Sequence, residues 1–306
     1  MSALSGHVDD YLRLRRALGF KLERAGCLLP QLVAYLEAAG ASTVSSDLAI
    51  TWARLPERAR PNHWAQRLAV ARGFAAYLQG IDPTTEVPPA GVFPARRHRP
   101  TPYLWSPTDI LRLLEGCQQL RPRLRAATYH ALSGLLAATG MRVGEAVTLH
   151  REDIELDTGV ITIRQAKHDR WRLVPLHPST TEALRRYAIE RTRLCPRSHS
   201  GTFFVSGTGN GLDRSSVAKT LRKITTDMGT RTATVHPRTH DLRHSLAVHT
   251  LIDWLVSGVD VDERIAVLST YLGHISPADT YWYLSASPEL MQLAAARLDS
   301  RFGGLE

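Results

Sequence analysis

Cysteine is scarce in this sequence. Only Cys27, Cys117 and Cys195 occur, an odd number at wide spacing. With no Cys-x-x-Cys pair, a cysteine-based zinc site is not expected. Reduced thiols in a cytoplasmic protein are the simplest reading. Long apolar runs are missing too: none approaches the roughly 20 residues that a membrane span needs. The opening MSALSGHVDDYLRLRR lacks the apolar stretch of a signal peptide. Acidic residues are the minority charge, 29 against 38 Lys and Arg, for a net +9 and a pI near 9.8. That balance points to a polyanionic partner, most simply nucleic acid. A basic protein with a solvated surface is the alternative. No internal repeat or low-complexity tract is present.

What is there is mostly helical pattern. At about 150 residues per domain, 306 residues suggest two domains. Val8, Leu12, Leu14 and Leu18, then Leu28, Leu29, Leu32, Val33 and Leu36, fall near helical spacing and give two helices over 8–39. Ser45-Ser46-Asp47 can start a third helix, and Pro61-Asn62 a fourth that runs to Gly80. Residues 1–85 are therefore expected to form an all-helical domain. The following DPTTEVPPAGVFPARRHRPTPY is too rich in proline for a helix or a central strand. A linker over 86–104 is expected, carrying Arg96, Arg97, His98 and Arg99. It is either a solvated tether or a strap against phosphates.

Residues 105–306 read as a second domain. Ser106-Pro107-Thr108-Asp109 is a helix start, with serine at the N-cap, proline at N1 and an acid at N3. Helices are expected at 107–117, 124–139 and 143–149, with Gly140 in a left-handed stop. GVITIRQA (159–166) and WRLVPL (171–176) make a hairpin around Lys167-His168-Asp169-Arg170. Further helices are expected at 179–193, 214–228, 241–257, 261–271, 277–284 and 288–299. The fold class is thus mainly α with a small β-sheet (α+β).

Polar residues at element ends carry the chemistry. Arg142 and Glu145 lie three apart in TGMRVGE, His240 and Arg243 three apart in HDLRH, so each pair shares a helix face. Each pair alone is equally a surface ion pair or a cap. His274 follows Gly273 and precedes SPAD, a second capping signal. Tyr281 and Tyr283 come next. Two residues apart on a helix, they cannot face one site while that helix persists, so one can be core and the other reactive. Two arginines suit a fork-like grip on phosphate. A hairpin lysine can donate a proton, and histidines exchange protons near neutral pH. Cationic neighbours are expected to lower a tyrosine's pKa and so activate it. No acidic pair offers itself for a divalent metal.

TGMRVGEA, RQAKHDRWRLVPL, HDLRH and LGHISPADTYWY, in this order and spacing, resemble the tyrosine recombinase (phage integrase) family over about residues 105–300. The N-terminal helices resemble that family's SAM-like core-binding domain, and the resemblance implies a C-shaped clamp on duplex DNA. It also implies a catalytic set of Arg142, Lys167, His240, Arg243, His274 and Tyr283, with Glu145 in support. Tyr283 lies nine residues after His274, the family's common separation, which makes Tyr281 the packing residue. The turn AKHDRW departs from the usual glycine-rich form around the lysine. The SPADTYWYL ending resembles recombinases borne on transposon-like elements. The resemblance further implies a 3′-phosphotyrosyl intermediate in DNA integration, excision or transposition. No cofactor or metal is implied. The implied assembly is a homo-tetramer on double-stranded DNA near the nucleoid, and the tail after residue 286 is either packed within its own chain or donated to the next subunit. A type IB topoisomerase-like enzyme and a catalytically silent DNA-binding accessory protein stay open as alternatives.

Overall fold

Short apolar helices with strong caps set the frame. The computed structural model describes residues 3–94, 101–165, 170–274, 276, 278–285 and 288–302. The Arg96–Arg99 cluster and Lys167 lie outside the described residues. The chain divides into two units, Met1–Pro100 and Thr101–Glu306.

The first unit holds α1 (Ala3–Ala17), α2 (Glu23–Ala38), α3 (Ser46–Arg54) and α4 (Pro61–Leu78). Ser45 accepts the Leu48 N–H at 3.3 Å and starts α3, as its position suggests. Leu29, Leu32 and Leu36 join Trp52, Phe74 and Leu78 in one core. Arg67 stacks its guanidinium 3.9 Å from the Trp52 ring and donates to the Trp52 carbonyl, so its buried charge is held by one residue. α1 begins five residues ahead of the apolar pattern read from Val8, because Leu4 also enters the core.

The second unit begins as its caps dictate. Ser106 accepts the Asp109 N–H at 3.1 Å, and Pro107 opens α5 (Pro107–Gln118). α6 (Arg123–Thr139) runs through the main core and ends at Gly140, φ 60°. α7 (Val143–Thr148) and a 3₁₀ turn at Arg151–Asp153 lead into an antiparallel sheet, β1 (Ile154–Glu155), β2 (Val160–Gln165) and β3 (Arg170–Pro175), in that spatial order. Ile161 pairs with Val174 and Ile163 with Arg172. β1 went unread in the sequence because two residues carry no alternation. Beyond the sheet come α8 (Pro178–Leu194), α9 (Arg214–Asp227), α10 (Thr239–Val256) and α11 (Val261–Leu272). The last elements are α12 (Ala278–Tyr281), a 3₁₀ turn at Trp282–Ser285, and α13 (Pro288–Phe302).

One expectation changes here. The helix expected over 277–284 is instead one α-helical turn followed by a tighter 3₁₀ turn. That change of winding leaves Tyr281 44% exposed and Tyr283 2% exposed, so Tyr281 is not a packing residue. Tyr283 is the one inside, in a cluster with Val248, Leu251, Leu268, Leu272 and Leu290. The tail helix is the other element to place, and it lies against its own chain here. Leu290 is buried in that same cluster, with α13 against α10, since an apolar side chain finds its nearest dry surface there.

Gly140 joins the core to the site. Its φ is left-handed, and a Cβ there would lie 2.8 Å from Leu246 Cδ2 and 3.2 Å from Leu272 Cδ2. Gly140→Ala is therefore expected to lower the unfolding free energy by about 1–3 kcal/mol from backbone strain alone. Urea denaturation measures this, and an unchanged midpoint would contradict it.

Candidate active site

Arg142 is the N-cap of α7. Its own N–H donates to Glu145 Oε2 at 2.9 Å, and its Nη1 donates to Oε1 at 2.8 Å. The i, i+3 pair read from the sequence is thus the glutamate half of a capping box reinforced by an ion pair, not a loose surface contact. Arg142 Nη2 donates to the Gly273 carbonyl at 2.8 Å, which places it at the residue before His274.

Arg243 sits on the first turns of α10 and is 2% exposed. Its Nη1 donates to the Gly140 carbonyl at 2.9 Å. Its Nε and Nη2 are buried and form no well-shaped hydrogen bond among the described residues, although the Tyr283 phenol lies close enough to interact with the guanidinium. Leaving charged donors unmade inside a protein is costly, so these two atoms define a place fitted to an anion. His240, one turn earlier, keeps an exposed face. Its ring lies 4.6 Å from that of His244.

Tyr283 completes the group. Its ring is 5.3 Å from His244 and stacks 5.9 Å from His274. The phenol lies within electrostatic reach of Arg243 and, more weakly, of Arg142. His274 Nδ1 bonds the fully buried Thr280 hydroxyl at 2.7 Å, which fixes its ring. Arg142, Glu145, His240, Arg243, His274 and Tyr283 therefore share one neighbourhood, although they come from four separate segments.

Burial pushes the Tyr283 phenol above its ordinary range, and this outweighs the pull of Arg243 and Arg142 toward ionisation. The expectation that neighbouring cations leave a net lowered value is thus corrected: the ring is too far inside the apolar cluster. Burial also raises Glu145, but Arg172 and Arg142 outweigh it and hold the carboxyl below its usual value. Loss of hydration, then Arg243 and Arg142, keep His240 below its ordinary value. The same causes push His274 down to about 4. Both imidazoles are therefore neutral at neutral pH.

Sequence reasoning missed three contributors. Arg172 on β3 reaches Glu145 through two nitrogens, at 2.8 and 3.1 Å. Its signal was legible: it shares the inward parity of Val174, and a charge at a core position of an amphipathic strand asks for a partner. His244 was quoted but given no role, and Thr280 looked like ordinary helix filler.

Because His274 holds fewer protons folded than unfolded between pH 6.5 and about 4, stability should rise with pH across that window. Acidification from pH 7 to 4 is expected to lower the melting temperature, and His274→Asn should flatten that slope. Differential scanning calorimetry checks it; an equal slope in the variant would contradict the assignment.

Comparison with known proteins gives the family and the fold. The phage integrase family matches residues 106–289. An integrase/recombinase of Sinorhizobium fredii, y4rB, is 42% identical, with 99% of each chain covered. The tyrosine recombinase XerD of Rhizobium meliloti is 30% identical over 72% of this chain and 68% of its own. Among solved structures, the Tn1549 transposon integrase in complex with a circular intermediate DNA has a TM-score of 0.63 at 13% identity, covering 95% of this chain and 99% of that one. No described helix is long and apolar enough to cross a membrane. The chain belongs to the phage integrase family, the tyrosine recombinases that break and rejoin DNA.

Proposed function

We propose that this protein is a site-specific DNA recombinase that cleaves and rejoins duplex DNA through a 3′-phosphotyrosyl bond at Tyr283. The observation that carries this reading is the buried Arg243 guanidinium, with two donors that form no well-shaped hydrogen bond among the described residues, beside the phenol of Tyr283. A scissile phosphate seated there accepts from Arg243 and Arg142, whose charges meet the oxygens on which negative charge builds. The Tyr283 hydroxyl gives its proton to neutral His240 as the phenolic oxygen attacks phosphorus. The bond to the 5′-oxygen breaks, and Lys167 protonates that oxygen. His274 donates a hydrogen bond to the phosphate. A 5′-hydroxyl of a partner strand then reverses the step, so the ester itself carries the bond energy. Because Tyr283 is 2% exposed, attack requires its 3₁₀ turn to shift toward the DNA.

The N-terminal helices and the Arg96–Arg99 strap fit a role along the DNA backbone, and a homo-tetramer on two sites fits the reaction. Integration, excision and transposition all use this chemistry.

The test uses duplexes with a randomised core and a single nick, which trap a covalent adduct by releasing the cleaved end. The wild type should give a denaturant-resistant protein–DNA species, Tyr283→Phe should give none, and Tyr281→Phe should keep it. Adduct from Tyr283→Phe at the wild-type level would overturn the reading. DNA affinity should also fall linearly on a log–log plot against salt, because bound cations replace counterions on the phosphates.

A further inference from the structure

Two arginines grip one carboxylate at the edge of this site, and only one of them is needed to face a phosphate. Glu145 accepts from the Arg142 N–H and Nη1, and from Nη1 and Nη2 of Arg172. A carboxylate has about four lone-pair positions, so all of them are filled. Arg172 comes from β3, where Ile163 is its cross-strand partner, and its side chain is 10% exposed. Its Nε donates to the Tyr271 carbonyl at 3.2 Å, while Arg142 holds the Gly273 carbonyl. Both guanidiniums thus also bind the carboxyl end of α11, the negative end of its dipole. Gly273 makes room for this: a Cβ there would stand 2.6 Å from Arg172 Nη1.

Resting on the recombinase reading, we propose that Arg172 is a positioning residue for strand cleavage. It occupies Glu145 so that Arg142 is held in one orientation with its charge available to the phosphate. It also fastens the hairpin that carries Lys167 to the turn that carries His274. The charge count gives the reason. Two guanidiniums and one carboxylate leave a net +1 beside the phosphate site. Without Arg172, Arg142 and Glu145 form a neutral pair, and the freed carboxylate lone pairs compete for the donors that the phosphate needs. Lysine cannot replace it, because a point charge cannot form two parallel bonds to the carboxylate and a third to a carbonyl. The plain alternative is a strut that only stabilises the hairpin.

The experiment measures single-turnover adduct formation on nicked DNA captured by the wild type, for Arg172→Gln, Glu145→Gln and the double variant, with DNA affinity measured alongside. Arg172→Gln should slow the adduct step roughly 100-fold, the order of loss that a misplaced catalytic group produces, with affinity close to wild type. In the Glu145→Gln background the same change should cost far less, because its target is gone. Arg172→Lys should fold and still be slow, which keeps the test valid if Arg172→Gln is unstable. A wild-type rate in either single Arg172 variant, or equal losses in both backgrounds, would overturn the proposal. If the wild type captures no DNA, the recombinase reading fails on its own. Carbon-13 titration of the Glu145 carboxyl then decides: Arg172→Gln should raise its midpoint, and an unmoved midpoint counts against the positioning role.

Discussion

A guanidinium buried without a full set of partners is the constraint on which the rest of this structure depends. Arg243 is held from one side by the Gly140 carbonyl, its Nε and Nη2 are buried without a well-formed hydrogen bond, and the Tyr283 phenol is the polar group that the guanidinium interacts with. A charge in that position is expensive unless something compensates it. Arg191 also keeps buried nitrogens without partners, but Arg243 does so with a second guanidinium, Arg142, close enough to add to the cost. Everything nearby arranges the consequences. The left-handed Gly140 lets the α6 carbonyl approach Arg243, Glu145 steadies Arg142, and α11 ends at Gly273 with its carbonyl against Arg142.

The same burial explains the character of Tyr283. Its ring belongs to the apolar cluster of α10, α11 and α13, and its hydroxyl belongs to the charged site. Packing against the core and contact with the charged site are thus not alternatives divided between two tyrosines. They are two ends of one side chain, as aromatic residues with a polar tip allow. The neutral state of His240 and His274 follows from loss of hydration first and from the adjacent arginines second. It leaves each imidazole able to accept a proton as well as to donate a hydrogen bond.

Much of this was legible in the sequence because it was written in local chemistry. Caps at Ser45 and Ser106, the stop at Gly140 and the alternation of GVITIRQA each depend on a few neighbouring residues. The six site residues that the structure describes were found because their spacings fit a known pattern, not because physics alone would join them. What escaped depended on long-range geometry. The break from α-helix to 3₁₀ turn at Trp282 has no sequence punctuation, so the exposure of Tyr281 and Tyr283 was assigned the wrong way round. The Tyr283 phenol was read as cation-lowered because its depth in the cluster cannot be seen from charges along the chain. Arg172 was visible as an inward-facing charge, but its partner lies 27 positions away.

The account comes down to one bond, between the Tyr283 oxygen and a DNA 3′-phosphate. Mass spectrometry of the peptides released from captured protein–DNA adduct, after nuclease and protease digestion, reads that bond directly. The expected result is a nucleotide mass on the peptide containing Tyr283, with fragmentation placing it on that residue. A nucleotide on Tyr281, on another side chain, or a phosphate left on the 5′-end would contradict it.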